Sequence, residues 1–261
     1  MTKLIKYDFR SAVRQIGPVW AALLVMSLIM GLLGSRINSS IIMDSKLSSY
    51  IFGLVPSLIF FGLFVASGVI TVMIVVMRFY KGLLGEEGYL MHTLPVTTGK
   101  LVASKGIVSA IVILVSSIVA FISIFTIAVS GSVPDFSEIM SEIIKVIKAE
   151  PKALVLALEL CLYGILSIMF QIYSIYASMA IGQLSGKHRV LLSLGAFIGL
   201  STIFSTINTR ALVGFVNSDI IESDFGSVLN YGWLGLLVLL AEVVVLHIAT
   251  ERILSKKLNL L

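Results

Sequence analysis

Two carboxyl groups in apolar stretches of the sequence are the first candidates for chemistry. Glu242 lies near the middle of one apolar stretch, and Glu159 lies close to the start of another. An ionised side chain at the centre of a membrane span costs at least about 2.5 kcal/mol, so Glu242 requires a partner, water or a proton. It belongs either to a substrate path or proton-linked switch, or to a hydrogen bond between helices with Gln171 or a serine as its partner.

Glu159 differs from Glu242 in depth. It lies about one helical turn below the predicted outer surface, where a long side chain reaches water at low cost. Glu242, Gln171 and Glu159 together form the candidate translocation path.

The sequence lacks the motifs that bind phosphate or metal. The stretch from Gly182 to Lys187 has one residue too few between its glycines to be a phosphate-binding loop. The histidines at 92, 188 and 247 are far apart, and none has a Cys, Asp or Glu at metal-ligand spacing. No G-x-S-x-G or H-E-x-x-H pattern occurs. We therefore predict no catalytic residue, metal or cofactor in this chain.

The composition predicts an all-α polytopic membrane protein. Of the 261 residues, 58% are hydrophobic and 13% are charged, and the mean hydropathy is +1.06. So few charges cannot cover the surface of a soluble protein of this length. The cations flank the apolar stretches and form no basic face, so nucleic acid is not an expected partner. The single cysteine, Cys161, lies in an apolar run and is predicted to be a packing residue.

Six apolar stretches are long enough to cross a membrane as helices. A hydrocarbon layer about 30 Å thick requires about 20 helical residues. The predicted spans belong to a single transmembrane domain, 1–261, and cover 16–35, 50–77, 101–130, 154–183, 189–209 and 231–251.

The positions of the cations predict the orientation of these spans. Most of the 19 lysines and arginines precede the first span, follow the last, or lie in the second-to-third and fourth-to-fifth connections. Because cytoplasmic loops carry the excess of positive charge, both termini are predicted to be cytoplasmic. Residues 1–15 place Ile5, Phe9, Ala12 and Val13 beside an arc of basic residues. This pattern predicts an amphipathic elbow helix on the membrane surface, with the chain turning inward at Gly17-Pro18.

Two segments predicted to lie outside the membrane have structure of their own. Residues 135–150, between Pro134 and Pro151, form an amphipathic pattern that predicts a helix on the outer surface or a cap on the bundle. Residues 210–231 are too apolar for a solvated loop and predict short re-entrant or interfacial helices.

A G-x-x-x-G pattern in the fifth predicted span is a candidate packing seam. Gly195 and Gly199 allow another helix to approach closely, either within the bundle or from a second chain.

The polar interruption at 78–105 is the predicted site for a soluble partner. It lies between the second and third predicted spans, and four cations flank it: Arg78, Lys81, Lys100 and Lys105. Its glycines and Pro95 delimit a short helix over roughly Glu86 to Leu94. This helix combines an acidic pair with an apolar group, namely Glu86, Glu87, Tyr89, Leu90, Met91 and Leu94.

The topology and one motif resemble those of ABC-2 type exporter permease subunits of Gram-positive bacteria. Residues 85–105, GEEGYLMHTLPVTTGKLVASK, are similar to the GEEGYL…TLPVS…L…SK pattern of such permeases. The N-terminal elbow, the six spans, the inner segment and the ordered outer loop are also similar to theirs. The resemblance covers the whole chain in topology and 85–105 in motif.

The resemblance implies a partner and a function. Residues 82–96 would be the coupling helix, which inserts into a groove of a separate cytoplasmic ATP-binding subunit. The contact residues would be Glu86, Glu87, Tyr89, Leu90, Met91, His92, Leu94 and Pro95. ATP and Mg²⁺ would bind that subunit, and this chain would be no enzyme. With a second permease chain, it would export an amphipathic peptide, antimicrobial or lipid-like substrate across the bacterial cytoplasmic membrane.

Two other classes of function remain open. A stand-alone secondary transporter or channel would use Glu242 as its relay, although the sequence lacks the internal repeat typical of such transporters. A membrane immunity or scaffold protein would share the topology and bind a partner at 78–105 without transporting anything.

Overall fold

The computed structural model of the chain is all-α wherever it is described, with six long helices and no strand. The described residues are 2–38, 46–85, 97–130, 141, 144–145, 152–185, 188–216 and 225–256. The helices are α1 (Thr2–Asn38), α2 (Lys46–Phe79), α3 (Thr98–Ser130), α4 (Lys152–Gly182), α5 (Arg189–Val216) and α6 (Phe225–Lys256). A π-helical turn, Tyr80–Leu84, continues from the end of α2.

Each helix contains a stretch that is long and apolar enough to cross a membrane. These stretches are Lys6–Leu33, Leu54–Leu84, Thr98–Ala128, Leu154–Gly182, Arg189–Thr209 and Gly232–Ser255. The prediction of an all-α, multi-pass membrane protein with six apolar helices is therefore confirmed. The orientation of the termini stays a prediction.

The first helix differs from its predicted course. Gly17 and Pro18 lie within α1, which is one continuous helix, so the predicted turn at this point is wrong. Membrane helices tolerate an internal proline because neighbouring groups satisfy the freed backbone carbonyl. The apolar arc of residues 1–15 also has protein neighbours, since Phe9, Ala12 and Val13 pack in a cluster with side chains of α2 and α3. An interfacial elbow over 1–15 stays a prediction.

The chain divides into two compact units, of which the first contains residues 1–74 and 111–149. Its core joins α1, α2 and α3 through Ala12, Ile16, Trp20, Ile74 and Val112. Apolar side chains gain little by leaving lipid, so packing and hydrogen bonds between helices hold such a unit together. Trp20 Nε1 donates to Ser116 Oγ at 3.1 Å, and Thr71 Oγ1 lies 3.1 Å from the same oxygen. One serine of α3 thus links all three helices.

The second unit contains residues 75–110 and 150–261. Within it, α4 packs against both α5 and α6. The α4–α5 pair is antiparallel: the Phe170 and Phe204 rings meet edge to face at 5.4 Å, and a Cβ on Gly182 would lie 2.6 Å from Ser193 Cβ. The α4–α6 pair is parallel, because early residues of α4 meet early residues of α6 and late residues meet late ones.

Several predicted segments lie outside the described residues. They are 86–96, which contains most of the predicted coupling helix, and the predicted outer helix 135–150, of which only Ser141 and residues 144–145 are described, as helical. Residues 210–216 continue α5 and 225–231 begin α6, so both ends of the predicted outer loop belong to long helices. Residues 217–224 lie outside the described part of the chain.

Candidate functional site

The predicted partner segment is described through its flanks. Its residues Glu86, Glu87, Tyr89, Leu90, Met91, His92, Leu94 and Pro95 all lie outside the described residues. On the upstream side, the π-helical turn ends at Gly85, whose backbone is extended and whose N–H donates to the Tyr80 carbonyl at 2.7 Å. On the downstream side, the Thr97 carbonyl accepts the N–H groups of Lys100 and Leu101 at 3.0 and 3.2 Å. Helical hydrogen bonding thus begins at Thr97, the first described residue after the segment.

The upstream flank is fixed by an aromatic stack. The rings of Phe79 and Tyr176 lie 4.0 Å apart with planes 16° apart, and both side chains are fully buried. The Tyr176 hydroxyl is hydrogen-bonded to Ser109 Oγ at 2.8 Å and donates to the Lys105 carbonyl oxygen at 3.3 Å. Such a ring pair contributes about 0.5–1.5 kcal/mol beyond its buried area. The end of α2 is thus held to α4, and α4 to the start of α3.

A glycine in the π-helical turn makes room for a lysine. Lys105 is 3% exposed, and a Cβ on Gly82 would lie 3.2 Å from its Cε and 3.3 Å from its Nζ. Lys105 is one of the four cations that flank the predicted partner segment, and the structure buries its side chain with Cε and Nζ beside the turn. Long side chains of this kind cover apolar surface with their methylene groups.

The downstream flank is fixed by a carboxyl group. The Glu251 carboxyl, in the last turns of α6, occupies the space above Gly99 at the start of α3, where a Cβ would lie 2.5 Å from Oε1 and 2.8 Å from Oε2. The first turn of a helix carries unpaired N–H groups and a partial positive charge. The position of Glu251 is therefore electrostatically favourable, and Gly99 permits it.

A second aromatic contact joins α4 to α6. The Tyr173 ring meets Tyr176 edge to face at 6.1 Å and His247 at 5.1 Å, and a Cβ on Gly106 would lie 2.9 Å from the Tyr173 hydroxyl. His247 Nδ1 is buried and has no hydrogen-bond partner among the described residues. A continuous row of aromatic side chains thus runs from the end of α2 through α4 to α6; its members are Phe79, Tyr176, Tyr173 and His247.

The candidate path residues do not come together. Glu242 is 6% exposed, and its partner is Asn208 of α5, whose Nδ2 donates to the two carboxyl oxygens at 3.2 and 3.3 Å. The predicted partnership with Gln171 or a serine is therefore wrong, since Gln171 is exposed on α4. Which helical face meets the carboxyl depends on packing that the linear sequence does not reveal.

Glu159 is placed differently from its prediction. It is 5% exposed, and its carboxyl group lies directly against Gly232 of α6, in the space that a Cβ would fill. Its Oε1 has no hydrogen-bond partner within the described part of the chain. The carboxyl therefore packs against a helix instead of reaching outward to water.

The glycine seam faces open space. Among the described residues, no atom outside the glycine's own stretch of helix lies within 4 Å of a Cβ built on Gly195 or Gly199, and no residue of α5 from 189 to 209 is fully buried by these residues. The described helices of this chain thus do not use the seam, which leaves pairing with a second chain as the open alternative.

Sequence reasoning missed several residues. Asn208 is an amide in a predicted span. Because an unpaired amide in lipid is energetically costly, its position in the span could have identified it as a partner for a carboxyl. Tyr173, Tyr176 and Glu251 carried no such signal, because tyrosines and terminal charges are common near membrane surfaces.

The described residues contain no group of three or more His, Cys, Asp or Glu side chains that could hold a metal ion. Comparison of the chain with protein-family models, with curated proteins and with solved structures found no match. Its function is therefore inferred from the sequence motif and from the geometry around the partner segment.

Proposed function

We propose that this chain is the permease subunit of an ATP-driven exporter of the ABC-2 type. One observation carries the proposal. The polar segment 86–96, which contains most of the motif, connects two long apolar helices, and the residues on either side of it are packed against other helices. Phe79 is stacked on α4, and Gly99 is covered by a carboxyl group of α6. A segment that transmits force to the membrane domain requires such attachment at both ends.

The partner is a cytoplasmic ATP-binding subunit that binds ATP and Mg²⁺. Glu86 and Glu87 would pair with basic residues of its groove, while Tyr89, Leu90, Met91 and Leu94 would fill apolar pockets and His92 and Pro95 would lie at the edge. Buried aromatic and aliphatic anchors dominate the energy of such interfaces. This chain hydrolyses nothing itself and moves between inward-facing and outward-facing states as its partner turns over ATP.

The location that fits this role is the bacterial cytoplasmic membrane, with both termini in the cytoplasm. A topology measurement tests the orientation independently of transport. With Cys161 replaced by serine, single cysteines introduced near residues 3 and 259 would be protected from an impermeant maleimide in intact cells. A cysteine near residue 148, in the predicted outer segment, would be labelled.

The proposed substrate is amphipathic, a peptide, antimicrobial or lipid-like molecule. Two permease chains would enclose the path, and Glu242, Gln171 and Glu159 are its candidate polar residues. Glu242 lies against Asn208, and the apolar spans offer no ring of charges for a small ion.

Co-purification tests the proposed function. A tagged chain extracted from its native membrane is expected to retain an ATP-binding subunit. Glu86→Lys with Glu87→Lys is expected to weaken that association by about 30-fold or more, because disrupting a buried charge pair costs about 2–5 kcal/mol. Glu138→Lys with Glu142→Lys, an acidic pair of the predicted outer helix, is the control and should leave binding unchanged. Recovery of the chain without any ATP-binding protein would overturn the proposal.

A secondary transporter is the second candidate, favoured by the buried Glu242–Asn208 pair. It predicts substrate or ion flux in liposomes that contain this chain alone, without ATP, and loss of that flux in Glu242→Gln. Partner binding without any flux or coupled ATP turnover would instead indicate an immunity or scaffold role.

A further inference from the structure

The two flanks of segment 86–96 contact different helices of the second unit. Upstream, Phe79 stacks on Tyr176 of α4. Downstream, the Glu251 carboxyl of α6 lies over Gly99, so close that an added Cβ would be 2.5 Å from Oε1. The segment thus has one attachment to α4 and another to α6, and these two helices pack in parallel.

The contact at Gly99 depends on charge as well as on shape. α3 begins at Thr98, so Gly99 belongs to its first turn, where N–H groups without intrahelical partners create a partial positive charge. A carboxylate at this place is attracted to the end of α3. Any side chain larger than hydrogen at 99 would displace it, since real Cβ atoms do not approach other atoms this closely.

α6 connects this contact to the membrane interior without a break. The helix is continuous over Phe225–Lys256 and carries both Glu251 and Glu242. At 1.5 Å per residue these two residues are about 13 Å apart along the axis. A shift of the first turn of α3 would therefore displace the same rigid helix that presents Glu242 to Asn208.

We propose that Glu251 is a positioning residue that couples the start of α3, and with it the partner segment, to α6. This inference rests on the proposed function, because the movement it transmits is that of the ATP-binding subunit. Glu251 contacts neither ATP nor substrate. Its role is to transmit a movement of the partner segment to α6.

Gly99→Ala and Glu251→Ala test the coupling in the complex co-purified from its native membrane and reconstituted in liposomes. Each is expected to lower the kcat of ATP hydrolysis by about two- to thirtyfold, the range found for mutations within a coupling network. The KM for ATP and the amount of bound ATP-binding subunit should stay unchanged. A purely structural defect would instead reduce the amount of intact complex.

The matched control is Gly164→Ala, a glycine within α4, where an added Cβ meets nothing within 4 Å among the described residues. It should leave kcat unchanged. Because Gly99 and Glu251 act through one contact, Gly99→Ala should have no further effect in a Glu251→Ala background. Should Glu251→Ala fail to fold, Glu251→Gln keeps the volume, removes the charge and is expected to lower kcat.

The outcomes separate the two proposals. If the unaltered chain retains no ATP-binding subunit, the proposed function fails and the role of Glu251 fails with it. If the subunit is retained but Gly99→Ala behaves like Gly164→Ala, or if the effects of Gly99→Ala and Glu251→Ala simply add, the role of Glu251 is overturned while the permease function stands.

Discussion

Asn208 donates from Nδ2 to both carboxyl oxygens of Glu242, at 3.2 and 3.3 Å. The pair joins α5 to α6 and places an amide beside a carboxyl that is 6% exposed. Few other contacts join these two helices, since α4 packs between them and touches both. The amide is therefore the main polar group that satisfies Glu242 among the described residues.

Replacing Asn208 by leucine is expected to destabilise the protein by about 1–3 kcal/mol, the cost of leaving a buried polar group without its partner. The midpoint of unfolding in detergent micelles measures the effect. Gln171→Leu removes an exposed amide of a neighbouring span and should change the midpoint little. Equal losses from both variants would mean that Asn208 does not hold Glu242.

Ser116 is the corresponding polar link in the first unit, and its loss should be costly. Ser116→Ala removes the acceptor of Trp20 Nε1 and the neighbour of Thr71 Oγ1, so we expect a loss of about 1–3 kcal/mol. Ser123→Ala is the control, because among the described residues this buried serine of the same helix bonds only the Val119 carbonyl of its own helix, at 2.8 Å. Similar unfolding midpoints for both variants would contradict a role for Ser116 in joining helices.

The six spans could be predicted because lipid imposes a simple requirement. A helix that crosses the hydrocarbon layer needs about 20 apolar residues, so hydropathy along the sequence locates it without knowledge of its neighbours. The turn predicted at Gly17-Pro18 came from a different rule, that a Gly-Pro pair interrupts a helix, and that rule failed. There α1 continues through the proline, because a proline signals a helix end in water more strongly than in a membrane.

The contacts between helices could not be predicted from the sequence. Hydropathy identified Glu159 and Glu242 as costly residues, but their neighbours, Gly232 and Asn208, depend on how each helix is rotated against the next. Glycines posed the same difficulty. The G-x-x-x-G pattern singled out Gly195 as a packing glycine and nothing singled out Gly99, yet a carboxyl group covers Gly99, and no described atom outside its own helix lies within 4 Å of a Cβ on Gly195.

Gly232→Ala is expected to destabilise the second unit. The new methyl group would meet the Glu159 carboxyl, which must shift to make room. Because Glu159 is 5% exposed, its side chain is hemmed in by neighbours, and overpacking of this kind costs about 1–3 kcal/mol, against a gain of about 1 kcal/mol from replacing a helical glycine by alanine. Gly235→Ala, three residues along α6, meets nothing within 4 Å and should be neutral or stabilising. Adding Glu159→Ala should relieve the clash in Gly232→Ala. A double variant as unstable as Gly232→Ala alone would show that the clash with Glu159 is not the cause of the instability.

Gly195 and Gly199 are the predicted contact for a second copy of the chain. No described atom outside the glycine's own stretch of helix lies within 4 Å of a Cβ on either glycine, so Gly195→Leu with Gly199→Leu should not lower the unfolding midpoint of the single chain. If a second chain packs on this seam, the bulky side chains keep the two backbones apart, and the Kd for self-association should rise by about tenfold or more, or about 1.4 kcal/mol. Energy transfer between labelled chains in liposomes measures that Kd.

Gly62→Leu with Gly68→Leu, at two open glycines of α2, is the control. Unchanged self-association in the Gly195 and Gly199 variant would place the contact between chains on another surface, because this face of α5 would then not be in the interface.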